Sequence, residues 1–501
     1  MTAISNNSHK EFFRNSLIVG YFVGLATIFI SGFSTTTSPF FISLGWDSAI
    51  FRLIGVAMKT GKSLYVDIFD HKGPVLFFIE YLGQVVHGGR GGIFLLQILF
   101  LFGTLSLVYL IARLFLQRNF AWILPGMYVF LLTNFYQWGN LSEEYSMFFC
   151  FIAVYLLLKN LLNNDRKYQW LELMLSGCAL GLVVFLRMNN AASIVAVAIA
   201  YLLSLVFAKK WKNVYKQSAM FISGFVITTV VIVAVFLALH SLPEMIYATF
   251  LFNIKYSEFS IGALPELAKT GYIFWASLGL IVGIVGSALN YYLKKEIWVS
   301  LSVVLVSLFT FVAVMLSTTG YFHYLQLILM PMSLGAILII YSLPSAPRKL
   351  IRYSLYVIGI IFVLVVVNAS INNINDYRTG QSGNYLASSK GADTDYANNA
   401  KLIVGNIPEF ERDDIFGYNI PASFYLATGL VPSFRYFTLQ DWWGQHDPGI
   451  YRELEGIFEH NPPKWVLVAD GPIADKRISL IIQQRYIMNQ KIDKVRLFHL
   501  R

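Results

Sequence analysis

Eleven stretches of the chain are apolar on every face and run close to the roughly 20 residues needed to cross the hydrocarbon core of a bilayer. They cover approximately residues 16–34, 92–115, 120–138, 144–162, 170–186, 190–208, 218–240, 271–293, 297–317, 322–341 and 352–368. The fifth and sixth meet at Arg187-Met188-Asn189-Asn190, read either as a tight turn between two spans or as the break of a re-entrant pair. Threading the chain alternately through these runs puts Lys10, Arg14, Arg113, Arg118, Lys159, Arg166, Lys167, Lys209, Lys210, Lys212, Lys216, Lys294, Lys295, Arg348, Lys349 and Arg352 on one side. By the positive-inside rule that side is the cytoplasm, so the N-terminus is expected inside and, with an odd number of spans, the C-terminus outside. No A-x-A-like site follows the first span, which is expected to remain as an anchor.

Two polar regions remain, a loop over residues 35–91 and a tail over residues 370–501. In the tail, strands are expected at Asp414–Tyr418, Arg435–Thr438, Trp465–Ala469 and Val495–Leu500. They alternate with helices near 395–405, 421–429, 448–460 and 474–486. Residues 377–393, rich in Gly, Ser and polar groups, read as a linker. The expected organisation is a transmembrane domain over 1–369, with its first outer loop at 35–91, and a soluble extracytoplasmic domain over 370–501. The fold class is mainly α and polytopic, with about eleven transmembrane helices and a small α/β C-terminal domain.

Composition agrees: 56% of the 501 residues are hydrophobic and 13% charged, with a mean hydropathy of +0.59, which places the chain in the membrane class. The net charge of +10 would suit a nucleic-acid partner, but the basic residues are scattered through short loops as topology signals, so none is expected. The tail holds 15 of the 28 acidic residues and 14 of the 38 basic ones, and this shift in balance marks a domain boundary. Cys150 and Cys178 both sit inside apolar runs, which leaves neither a disulfide framework nor a thiolate zinc site.

Candidate chemistry gathers on the outer side. The first loop carries Gly45-Trp46-Asp47 and then Tyr65-Val66-Asp67-Ile68-Phe69-Asp70-His71-Lys72-Gly73-Pro74. A carboxylate at the membrane surface, partly desolvated by Trp46 and neighbouring spans, can take a proton from a hydroxyl nucleophile. The plainer account is that these charges solvate a long loop. The next outer turn, Asn140-Leu141-Ser142-Glu143-Glu144-Tyr145, offers two adjacent carboxylates, with helix capping by Ser142 as the ordinary alternative. Arg187 and the run Tyr321-Phe322-His323-Tyr324 lie on the same side, and with Lys72 they supply cations suited to a phosphate head group.

These residues carry a resemblance. A first helix, a long outer loop with Asp47 close behind it, the D-x-F-D-H-K-G-P run of residues 67–74, an acidic pair after helix three and the His323-Tyr324 pair near a late helix resemble the GT-C glycosyltransferases. Within them the likeness is to the glycosyltransferase family 39 or protein-mannosyltransferase-like group. It covers about residues 1–340, with Asp47 and residues 67–74 its most specific parts. It implies a polyprenyl-phosphate sugar donor, a hydroxyl acceptor of the cell envelope and membrane lipid as partners, in a multi-pass protein of the bacterial plasma membrane. It further implies Asp47 as base on the acceptor and a single inverting displacement. Glu143 and Glu144 would orient the acceptor, and Lys72, Arg187 and His323 would bind the donor phosphate. Trp46, Asp67, Asp70, His71 and Tyr324 would complete the substrate site. No cofactor is implied with certainty; carboxylates from two loops leave room for Mg²⁺ or Mn²⁺. Two competing expectations are an O-antigen-type polymerase or ligase, which usually carries its large loop late, and a lipid-linked saccharide transporter or flippase. A transporter should show a repeat between halves and midplane charge, and no such repeat is evident.

Overall fold

The computed structural model describes residues 2–163, 168–256, 264–316, 320–343, 348–380 and 385–501. The topology signals Arg166 and Lys167 lie outside the described residues. The chain forms two compact units, each assembled from separated segments: residues 1–34, 94–232 and 259–373 in the first, and 35–93, 233–258 and 374–501 in the second.

The first unit is helical because an apolar segment in lipid must satisfy its own backbone groups. Among the described residues, nine helical stretches are long and apolar enough to cross a membrane. One of them, Gln169–Phe207, contains two of the expected spans: the helix Gln169–Arg187 ends, a 3₁₀ turn occupies Met188–Ala191, and Ala192–Phe207 follows. Gln169 Nε2 donates to Tyr201 Oη at 3.2 Å, a contact that is possible only if the chain folds back at the turn. The tight-turn reading of Arg187–Asn190 therefore holds. The expected span at 120–138 is realised as two short helices, Arg118–Ala121 and Ile123–Leu132, separated at Trp122 and followed by a turn with positive φ at Gln137, Gly139 and Asn140.

Close helix crossings in this unit use small residues, the usual device where lipid supplies no hydrophobic driving force. A Cβ on Gly177 would strike the backbone of Phe221, and one on Gly224 the backbone of Met174, so the helices Gln169–Arg187 and Trp211–Ala238 touch backbone to backbone. Gly286 and Gly335 do the same for Tyr272–Lys294 and Leu329–Ser342.

The second unit contains a four-stranded sheet of strands β1 (Ile415–Tyr418), β2 (Trp465–Ala469), β3 (Tyr486–Ile492) and β4 (Val495–Leu500), in the order β1-β2-β4-β3. β1 and β2 are parallel, and the other two pairs are antiparallel. The parallel pair needs a crossover, supplied by the helices Ala422–Thr428, Gln440–His446 and Pro448–His460. Ala422–Thr428 packs on Asp47–Lys59, which in turn packs on Pro74–Val86, so the first loop and the tail share one body.

Two expectations for the tail need correction. Residues 435–438 are not a strand, because their carbonyls serve other donors: Phe69 N–H reaches Arg435 O, Gln440 Nε2 reaches Tyr436 O and Tyr425 Oη reaches Phe437 O. The missing strand is β3, whose mostly exposed side chains give little apolar alternation to read. The supposed linker is largely helical where described, since Arg348–Thr379 ends and Tyr385–Gly405 begins within it.

Candidate active site

In the second unit, residues 63–74 form a rigid loop whose geometry follows from its sequence. Pro74 opens the helix Pro74–Val86, and its ring keeps Gly73 extended at φ −71° and ψ 155°. Tyr65 is fully buried with φ +67°, a left-handed conformation that a bulky residue holds only where its surroundings impose it. Its N–H donates to Ile68 O at 2.8 Å and its hydroxyl to Lys72 O at 2.7 Å. Asp67 accepts the Ser63 N–H at 2.7 Å and so serves the turn itself. Phe69 donates its N–H to Arg435 O at 3.0 Å, and its ring is caged by Tyr247, Phe252, Tyr436 and Trp443.

The next three residues bring charge into this frame. Asp70 is only 2% exposed, and its Oδ1 accepts the Lys72 N–H at 2.9 Å. Burial raises its carboxyl above the ordinary range; the Lys72 charge and amide oppose this, and the nearby Asp47 adds to it. Lys72 Nζ lies 2.7 Å from His71 Nε2. An ammonium can only donate, so Nε2 must be the acceptor, which puts the ring proton on Nδ1, 3.8 Å from Asp70 Oδ2. Asn253 donates to His71 O at 2.7 Å, and Trp442 lies against the His71 ring at 5.4 Å with His446 beyond it. Buried Asp70 and His71 are not charges that merely solvate a loop.

Asp47 is the first residue of the helix Asp47–Lys59, where the helix dipole favours a carboxylate. That helix is pinned by Ser48 to Thr36 Oγ1 at 2.8 Å and by buried Arg52 to Thr36 O at 3.0 Å. Burial and the charge of Arg90 push the Arg52 guanidinium down to about 9, with Glu80 acting the other way. Trp46 is 71% exposed. Asp47 itself is half-buried, and the exposure of Trp46 suits an aromatic at a membrane boundary.

In the first unit, Glu143, Arg187, His323 and Tyr324 come together. Glu143 is 1% exposed; it pairs with Arg187 Nη1 and accepts the Ser142 hydroxyl at 3.0 Å. The Arg187 guanidinium sits 3.9 Å from the centre of the Tyr324 ring, a stacking that its planar charge allows. His323 Nδ1 is 2.5 Å from Gln137 Oε1. Glu144, one position along the helix, points into a different network: Leu141 N–H at 2.9 Å, Gln97 Nε2 at 2.8 Å and Tyr136 Oη at 2.7 Å. It borders a cavity of about 20 Å³ lined also by Tyr128, Tyr145 and Gln326, enough for one water. The cap of this helix is Leu141, with Glu144 reaching back to its N–H; Ser142 is one residue inside and is not the cap.

A divalent ion does not fit the acidic pair, because Glu143 and Glu144 diverge and their oxygens are engaged by Arg187, Ser142, Gln97, Tyr136 and the Leu141 amide. Among the described residues no group of three or more His, Cys, Asp or Glu is placed to hold a metal ion. Sequence reasoning missed Trp442, His446, Asn253 and Arg435. The aromatic density of Asp441-Trp442-Trp443 was the available signal, but nothing in its spacing ties it to residues 65–74.

No family model matches the chain, and a search of curated proteins finds no relative. Solved structures do match. ArnT from Cupriavidus metallidurans bound to undecaprenyl phosphate is similar at TM-score 0.56 and 10% identity, over 96% of this chain and 97% of that one. ArnT from the same organism in the apo state is similar at 0.55 and 10%, over 98% of each. The archaeal oligosaccharyltransferase AglB from Archaeoglobus fulgidus, with an inhibitory peptide and a dolichol-phosphate, is more distant at 0.46 and 12%, over 92% of this chain and 70% of that one. The chain is a multi-pass membrane protein that shares the fold of ArnT.

Proposed function

We propose that the protein is a membrane glycosyltransferase that moves a sugar from a polyprenyl-phosphate donor to a hydroxyl of a cell-envelope acceptor. The proposal includes the outer face of a bacterial plasma membrane as its place of action, with the N-terminus cytoplasmic. The observation that carries it is the Asp70-His71-Lys72 turn, in which a lysine ammonium is held 2.7 Å from an imidazole nitrogen beside a buried carboxylate, in the same unit as Asp47. The fold supports the donor class, because ArnT, which shares it, has been solved with undecaprenyl phosphate.

In this reading Asp47 accepts the proton as the acceptor oxygen attacks the anomeric carbon. The bond from that carbon to the phosphate oxygen breaks, the electron pair leaves with polyprenyl phosphate, and the configuration inverts. Lys72 binds the donor phosphate in the ground state and keeps that hold as charge grows on the leaving oxygen. His71 fixes the ammonium and Asp70 fixes His71, so both are positioning residues. In the other unit, Arg187 stacked on Tyr324, with His323 alongside, is proposed as an anion site whose charge Glu143 tempers. Glu144 is proposed as a positioning residue for the turn before its helix.

The test is transfer from a radiolabelled polyprenyl-phosphate sugar in membranes carrying the full chain. Label moving to an acceptor fraction, and lost in Asp47→Asn at equal expression, supports the reading. Label that crosses the bilayer still attached to its lipid, unaffected by that substitution, identifies a transporter.

A further inference from the structure

The first unit also holds an apolar cleft, apart from the residues above. A cleft of about 280 Å³ opens between the helices Ser142–Leu162, Gln169–Arg187, Ala192–Phe207 and Trp211–Ala238. Its wall is almost wholly hydrocarbon, with Leu157, Leu173, Leu180, Ala198, Leu205 and Phe221 among the lining residues. A water's share of liquid volume is about 30 Å³, so the cleft is far too large and too apolar for one ordered water and matches a stretch of alkyl chain. Its rim residues Val195, Ile199, Leu202 and Ile222 are exposed, so the opening faces out of the bundle rather than into the core.

One end of the cleft is polar. Tyr201 donates to Gln217 Oε1 at 2.5 Å, and Gln169 bridges both side chains. Immediately beyond it come Lys209, Lys210, Lys212 and Lys216, all exposed, with exposed Trp211 and Tyr215 between them. The turn that bears them is tied to the end of the lining helix by Lys210 N–H to Leu205 O at 3.0 Å. The nearby acid Glu172 is engaged by Lys159 at 2.9 Å and Asn160 at 3.1 Å. Four lysines and two interfacial aromatics at the mouth of an alkyl-sized cleft describe a lipid with an anionic head. The N-terminal end of Trp211–Ala238 adds the positive end of its dipole.

We infer that this cleft is a binding site for an anionic bilayer phospholipid, with one acyl chain between the four helices and the phosphate on the lysines at 209–216. The inference is independent of the transferase reading, and a loss of sugar transfer leaves it untouched.

It is tested on the full chain purified in detergent, using fluorescent phosphatidylglycerol and phosphatidylcholine with the same acyl chains. Saturable binding is expected to favour phosphatidylglycerol by about fivefold or more, the size of one lysine's attraction to an anionic surface. The variant K209Q/K210Q/K212Q/K216Q is expected to bind the two lipids alike. Ala198→Phe, which fills the cleft, should lose both. Because a buried substitution can disturb packing, Ile222→Trp closes the same cleft from its exposed rim and must act in the same direction. Unchanged binding in both cleft variants, a preference that survives removal of the lysines, or one-for-one displacement by polyprenyl phosphate would each overturn the assignment.

Discussion

The two units hold charge in opposite ways. In the second, residues 63–74 are fixed mainly by backbone hydrogen bonds and aromatic cages: Tyr65 Oη to Lys72 O, Phe69 N–H to Arg435 O and Asn253 to His71 O. Lys72 is thereby placed before any substrate arrives. In the first, the charge of Arg187 is met by side chains, with Glu143 and Tyr324 among its partners, inside an apolar bundle. The lesson is that charge near lipid is kept either by over-determining the backbone that carries it or by pairing it, and the two arrangements respond differently to substitution.

The largest expected effect falls on Asp47. Asp47→Asn should lower the transfer rate by about 10²–10⁴-fold, the usual worth of a positioned base, with little change in melting temperature. Asp67→Asn should keep most activity, because Asp67 serves the Ser63 amide. Equal losses from the two would remove the distinction drawn between them.

Arg187→Ala should cost about 3–5 kcal/mol of stability by removing the guanidinium that pairs with buried Glu143, measured as loss of the folded form on heating in detergent. The double variant Arg187→Ala with Glu143→Gln should recover much of that loss. Additive losses would show that the pair is not the source of the effect.

Lys72→Ala should raise KM for the donor more than it lowers kcat. The reverse pattern moves Lys72 out of the phosphate role.

The smallest effects are on pH dependence. Burial raises the Asp70 carboxyl, so the folded state favours its protonated form. Its contribution to stability is complete below the unfolded value, about 3.9, and is lost as pH rises through the raised folded value. Asp70→Asn should flatten that decline. Asp447 has the opposite sign. Burial works to raise its carboxyl, but hydrogen bonds from Lys255 at 2.6 Å and from Tyr247 hold it below the ordinary range. Its contribution is present above the unfolded value and fades as pH falls through the lowered one. Asp447→Asn should remove this acid-side loss, at a cost of about 0.5–1 kcal/mol near neutral pH.

The contrast between the units also explains what could be read from the sequence. Asp70, His71 and Lys72 are contiguous, so they were legible together as candidates, whereas the helices Asp47–Lys59 and Pro74–Val86 inside the expected loop were not. Apolar runs announced most of the spans, because a lipid-facing helix has no polar face to confuse the pattern. Glu143 and Arg187 were both singled out, yet their pairing was not, since a carboxylate and a guanidinium far apart in the chain advertise no partner. The ties of Trp442 and Arg435 to residues 69–71 were hidden for the same reason: they are tertiary. The strand expected at 435–438 failed because its carbonyls accept bonds from outside the sheet, information that a local pattern does not carry.

The most direct measurement follows the fate of the lipid during turnover of a doubly labelled polyprenyl-phosphate sugar. The account predicts one sugar-free polyprenyl phosphate released for each sugar appearing on a hydroxyl acceptor, with inverted anomeric configuration. Intact donor delivered to the far leaflet with no lipid phosphate released, or a product of retained configuration, would contradict it.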